Sequence, residues 1–184
     1  MNSIALMIEE HEMIRRMLQV MRKACVKIMQ GEAICYEDFD QMIDFVRNYA
    51  DAHHHGKEEK FLFKAMQEHL GALGEKLIRN GMLVEHDLGR LYMGDLKEAL
   101  EKVKAGNEES KVDVIAHAVG YTHLLERHIA KENEVVYTFA EKRLSEEILS
   151  QVNEQTKQFE EEATKNQVQT RYKTLLEVLE KKYL

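Results

Sequence analysis

From Ile4 onward, residues that suit a protein interior recur at alternating gaps of three and four: Ile4, Met7, His11, Ile14, Leu18, Met21, Cys25 and Ile28. That spacing draws one continuous stripe down one face of a helix, which the two-residue period of a strand cannot do. Three further stripes follow. The second runs Phe39, Ile43, Val46, Ala50, His54, Glu58, Phe61 and Ala65; the third runs Met82, His86, Gly89, Met93, Leu96, Leu100 and Val103. The fourth is Val114, His117, Tyr121, Leu125, His128, Glu132, Val135 and Phe139. There is no proline among the 184 residues, so the strongest helix breaker is missing. Breaks are expected at "QGEAI", "HLGALGEK" and "KAGNEES", where glycine and polar residues gather. Short connections make consecutive helices antiparallel neighbours. The chain is therefore predicted to be all-α, an up-down-up-down four-helix bundle over residues 1–143 with a C-terminal helical extension over 144–184.

The length suits one well-buried core better than two. No apolar run approaches the ~18 residues needed to cross a bilayer, and acidic residues interrupt the N-terminal stretch where a signal peptide would be apolar. No membrane partner is expected. A net charge of -7 without a basic block argues against nucleic acid. Cys25 and Cys35 lack metal-type spacing and read as reduced thiols. These features predict a soluble, cytoplasmic protein.

Five histidines and two glutamates lie on the core stripes, and all of them but His117 belong to a repeat. "HHGKEEKFLF" from His54 aligns with "HIAKENEVVY" from His128, and "MIEEHEMIRRM" around His11 aligns with "MLVEHDLGRLY" around His86. Buried charge is costly unless it is paired or coordinates a metal. A histidine and a glutamate at i and i+4 lie one above the other on a helix. Two such helices, with one histidine from each of the other two, can surround a pair of metal ions as in carboxylate-bridged di-metal bundles. The predicted ligands are His11, His54, Glu58, His86, His128 and Glu132. Imidazole and carboxylate without thiolate suit iron or manganese, with zinc also possible. His53 and His55 point about 100° to either side of His54 on an α-helix and have no repeat partner, so neither is expected to bind metal.

On "EEHEMI", "HHGKEEKFLF", "VEHDLGR" and "HIAKENEVVYTFAE", in that order, the sequence resembles the hemerythrin-like, HHE-type cation-binding family over about residues 3–142. The resemblance implies a non-haem centre of two iron ions, with the six residues above as ligands. It also implies a small diatomic ligand or peroxide as partner: dioxygen or nitric oxide bound for sensing or scavenging, or peroxide or nitric oxide reduced with the help of a redox partner. The related iron-sulfur-cluster repair proteins are similar around "VEHDLG", but their amino-terminal cysteine-containing domain is missing here. A purely structural metal site is the remaining alternative. Oxygen-carrying members have a second histidine four residues after the one on the third helix, where this chain has Arg90.

If Glu58 and Glu132 both bridge, each metal receives two carboxylate oxygens and on average two histidines. Both metals then keep an open position, which favours oxidation or turnover over reversible oxygen carriage; a seventh ligand would close one of them. Ile14, Ala50, Gly89, Leu125 and Tyr121 are expected to wall a pocket for the small ligand, with Ala50 and Gly89 leaving the room. His117 should be a hydrogen-bonded core histidine, His123 a surface one, and His69 a terminal one. Arg15 and Arg90 are expected in exposed pairs with Glu12 and Asp87. The tail should dock through Tyr172, Leu175, Leu176 and Leu179, and a chain ending at Lys142 should still assemble the centre.

Overall fold

The computed structural model describes residues 1–184 as six helices and no strand. Helix α1 is Ser3–Met29; α2 covers 36–69, α3 71–104 and α4 111–143; α5 is Glu146–Lys165 and α6 Val168–Tyr183. Asn2 caps α1 by accepting from the Ala5 amide at 3.0 Å, and Ser145 caps α5 through the Ile148 amide at 3.3 Å. Both satisfy donors that a helix start leaves free. None of the helices is long and apolar enough to cross a membrane.

One expected break is much shorter than the sequence suggested. Within "HLGALGEK" only Leu70 interrupts the helix, and Gly71–Leu77 already forms the first turns of α3. Gly71 makes the reversal with φ of 62°, a conformation that costs glycine nothing. A Cβ on Gly74 would lie 2.6 Å from both the Leu70 Cβ and the Met66 carbonyl, so the two helices close on each other only because Gly74 has none.

Helices α2, α3 and α4 are not uniformly α-helical. Wide π-turns occupy Val46–His55, Glu58–Leu62, Ile78–Met82 and Glu132–Val136. Such turns change the angle between successive side chains and are frequent at functional sites. Here they coincide with the histidine-rich segment of α2 and begin at Glu58 and Glu132.

Side-chain pairs fix how the helices lie. Met13 meets Tyr49 while Glu10 meets His53 and His54, and Arg22 meets His123 while His11 meets Asn133. Asp51 meets Arg90 while Glu59 meets His86, and Glu85 meets Lys131 while Asp95 faces His117. The apolar interior is in two parts. One contains Ile14, Leu18, Met21, Phe45, Ala50, Met93, Leu96, Tyr121 and Leu125; the other contains Met7, Leu62, Phe63, Met66, Met82, Val136 and Tyr137. Apart from His117, the histidines and glutamates of the stripes lie in the layer between them.

Helices α5 and α6 lie against the bundle. Tyr172, Leu176 and Leu179 are buried in the larger apolar cluster, each adding roughly 1.5–3 kcal/mol of burial, while Leu175 is only partly covered. Arg16 grips Glu180 with two bonds, at 2.8 and 2.7 Å. The α5–α6 joint forces Gln167 into the left-handed region at φ of 58°, which costs a side-chain-bearing residue about 1–2 kcal/mol. Gln167→Gly is therefore expected to stabilise the protein by about 1 kcal/mol in denaturant titration; no gain would mean that the joint is unstrained.

Both cysteines are free, Cys25 buried and Cys35 partly exposed. Burial pushes the Cys25 thiol up to about 11, so little of the reactive thiolate forms at neutral pH. The native protein is expected to react with one equivalent of a thiol reagent, and the unfolded protein with two.

Candidate metal centre

The six predicted ligands meet in the layer between the apolar clusters. His11 and His54 are 0% exposed, His86 2%, His128 1%, and Glu58 and Glu132 0%. Together with His55, their donor atoms form two groups, each within 4.8 Å of one another: His11, His54, Glu58 and Glu132 in one, and His55, Glu58, His86 and His128 in the other. Glu58 belongs to both. Glu132 also reaches across, with Oε2 3.2 Å from His11 Nε2 and Oε1 3.1 Å from His128 Nε2.

The ring orientations are set from outside. Each histidine presents Nδ1 to an acceptor: His11 to Asn133 at 2.8 Å, His54 to Glu10 at 2.8 Å, His86 to Glu59 at 2.7 Å, His128 to Glu85 at 2.9 Å and His55 to Asp51 at 3.3 Å. With Nδ1 as donor, the lone pair is on Nε2 and points inward. That is how histidines are prepared for metal. Inside, Nε2 of His11, His54 and His55, Oε2 of Glu58 and both oxygens of Glu132 are buried without a hydrogen-bond partner. Six orphaned polar atoms in one place would be heavily penalised in a folded protein. A pair of cations answers them all, so the donor set fits two metal ions.

The charges agree. Glu10 pairs with Lys57, Glu85 with Lys131, and Asp51 and Glu59 with Arg90, so the outer carboxylates are balanced and Glu58 and Glu132 remain for the interior. Burial, and then the neighbouring Glu132, push the Glu58 carboxyl well up. Burial works the same way on Glu132, but His128 and His11 hold it well below the usual range. Burial and then His11 bring His54 down to about 4, and burial holds His55 well below its usual value. Both rings are thus neutral and able to donate a lone pair at neutral pH. For His128 the lowering by burial is outweighed by Glu132 and Glu85, which bring it up to about 9, so a cation there has to displace a proton.

His55 corrects the sequence reading. It was excluded on α-helical geometry, yet it is 4% exposed, stacks on His86 with centroids 3.8 Å apart, and sits with the donors of the second group. The His54 and His55 rings do point to different sides, but His54 falls in the first donor group and His55 in the second, so both face the layer. His53 is buried as well, but faces Glu10 and Glu160, each at 3.2 Å. Arg90 is more than an exposed partner of Asp87. Besides that bond at 2.9 Å it holds Asp51 at 2.8 Å and Glu59 at 2.6 Å, the acceptors of His55 and His86. Arg15 keeps to the surface pair, 2.9 Å from Glu12.

The repeat extends to this outer layer. Glu10 and Glu85 precede the lone histidines and Glu59 and Asn133 follow the paired glutamates, all at offsets of 74 or 75 residues. Tyr137 and Phe63 correspond too: Tyr137 stacks on His11 at 5.7 Å, and Phe63 on His86 at 5.8 Å. Only Tyr137 carries a hydroxyl, and it donates to Glu58 Oε1 at 2.5 Å. The sequence reading passed it over, although it stood inside the aligned motif.

A cavity of about 330 Å³ leads to the centre. Buried His55 and His86 form its inner wall, Val46, Gly89, Met93 and Tyr121 its apolar sides, and Arg47, Asp51 and Arg90 its charged rim. Of the five residues expected around a pocket, Gly89 and Tyr121 line this one; a Cβ on Gly89 would stand 3.4 Å from the Tyr121 ring. Ile14, Ala50 and Leu125 are packed into the apolar cluster beside it. His117 is half-buried and faces Asp95 at 4.0 Å instead of entering the core. His123 and His69 are exposed, the latter at the end of α2.

Comparison with known proteins finds that residues 2–140 match the family model for the hemerythrin HHE cation binding domain. No curated protein and no solved structure matches the chain.

Proposed function

The chain belongs to the hemerythrin HHE cation-binding family, and on that premise we propose that it is a non-haem di-iron protein that binds or reacts with dioxygen, nitric oxide or peroxide. The observation that carries the reading is the inward convergence of orphaned Nε2 and carboxylate atoms whose rings are all held by Nδ1. We assign His11, His54, Glu58 and Glu132 to one ion, and His55, His86, His128 and the shared Glu58 to the other, with Glu132 spanning both. An up-down-up-down arrangement of α1 to α4 over residues 1–143 is the framework, supported by the antiparallel order of the side-chain pairs between neighbouring helices. Helices α5 and α6 are the extension.

Iron bound here would supply one-electron redox chemistry and affinity for small oxidants. The chain's own residues do the rest. Asn133, Glu10, Asp51, Glu59 and Glu85 orient the imidazoles, and the apolar clusters exclude water on either side. Val46, Gly89, Met93 and Tyr121 give a small neutral molecule an apolar passage to His55 and His86. The Tyr137 hydroxyl holds one oxygen of Glu58 and is the nearest proton donor to the shared carboxylate.

Anaerobic loading with iron, metal analysis, and optical spectra with dioxygen, nitric oxide and peroxide test the proposal. About two ions per chain and an optical response to at least one of the three are expected. A single ion per chain, or a loaded protein inert to all three, would rule it out.

A further inference from the structure

The two repeated halves carry equivalent relays, and the extension covers one of them. In the second half Lys131 pairs with Glu85, which accepts from His128 Nδ1 at 2.9 Å. In the first half Lys57 pairs with Glu10, which accepts from His54 Nδ1 at 2.8 Å. Lys131 is 50% exposed, whereas Lys57 is 0% exposed. The difference comes from α5. Its Phe159 lies over the Lys57 ammonium at 6.0 Å, and its Glu160 pairs with Lys57 and lies 3.2 Å from His53 Nε2. From α6, Gln169 donates to Glu160 at 2.7 Å. A lysine without water needs compensation for its charge, and Lys57 receives it from two carboxylates, of which Glu160 is supplied by a segment outside the matched domain.

Resting on the di-metal reading above, we propose that Glu160 is a positioning residue for His54, through which the C-terminal extension tunes one of the two metals. Glu160 takes part of the Lys57 charge and leaves Glu10 free to accept from the imidazole, which strengthens His54 Nε2 as a donor. In the solvent-exposed relay of Lys131, water screens the same interaction. The two metals are thus electronically unequal although their ligand sequences repeat. On this proposal the expectation that a chain ending at Lys142 would keep the centre intact changes: such a chain loses the partner of a buried lysine that directly precedes Glu58 and stands three residues from His54.

The test uses the full chain loaded with cobalt(II), whose visible absorption reports its coordination. In Glu160→Gln, one of the two cobalt ions is expected to leave about tenfold faster to a chelator, with a change in only part of the visible spectrum. Glu160→Asp, which restores the charge, should recover most of both. Arg16→Ala, which loosens the same docking through Glu180, should keep the wild-type spectrum and rates. Wild-type behaviour of Glu160→Gln would overturn the proposal, as would the same change in Arg16→Ala, because docking alone would then explain it. Should Glu160→Gln fail to fold, wild-type spectrum and rates in Lys57→Met, which removes the charge that Glu160 balances, would overturn it equally. A wild-type chain that takes up no pair of cobalt ions would instead overturn the di-metal reading itself.

Discussion

Glu58→Ala combined with Glu132→Ala is expected to abolish metal binding, from about two ions per chain to none. Both carboxylates are fully buried, both lie between the two histidine groups, and every other acidic side chain near the centre is already paired with a cation or a histidine ring. Removing one leaves each ion a poorer set; removing both leaves only neutral imidazoles to hold two cations in an anhydrous layer. The effect extends to stability. A ligand that binds only the folded state stabilises it by about 2.7 kcal/mol at a hundredfold excess over its dissociation constant. Iron should therefore raise the melting temperature of the wild type and leave that of the double variant unchanged. Undiminished metal in the variant, or an equal thermal shift in both proteins, would refute the assignment of these two residues.

His55→Ala is expected to change reactivity more than metal content. With six donors each metal would keep an open position, and oxidation on contact with oxygen would be the expectation. On the assignment proposed above, His55 would be a seventh donor on the His86 and His128 side, which would close one of the two positions. The substitution places Arg90 in a new light: its bonds to Asp51 and Glu59 hold His55 and His86 in place, so the residue that stands where oxygen carriers have a histidine supports a histidine elsewhere. The wild-type reduced iron protein should then show an absorbance change with oxygen that reverses on degassing. His55→Ala should oxidise irreversibly at least about tenfold faster. Stopped-flow mixing decides it, and equal rates in the two proteins would show that His55 is not a donor.

The six candidate ligands that the structure gathers into one layer could be picked out of the sequence because two rules coincide on them. They fall on stripes of helical period, and a charge on such a stripe demands compensation, so His54 with Glu58 and His128 with Glu132 declare themselves. The outer acceptors were also present in the repeat, as Glu10 with Glu85 and Glu59 with Asn133, but nothing in a one-dimensional pattern says which ring each one reaches across to. His55 was hidden for another reason. It lies off the stripe of His54, and a single apolar period marks only one direction, while the centre has a second group of donors that His55 reaches instead. Glu160 was hidden by distance: it lies 103 residues from Lys57, in a polar segment where one glutamate among many carries no mark. The break at "HLGALGEK" is shorter than expected because five of its eight residues are good helix formers and Gly71 alone can make the turn.

The donors are divided between the two repeated halves in a way that bears on how the protein matures. One grouping takes His11, His54 and Glu58 from the first half and Glu132 from the second; the other takes His55 and Glu58 from the first and His86 and His128 from the second. Neither half owns a complete site. A ribosome that has released only α1 and α2 has produced His11, His54 and Glu58 without the Glu132 that completes the first group, and His55 without the His86 and His128 of the second. On the di-metal reading, both ions are therefore expected to load only once α4 has emerged.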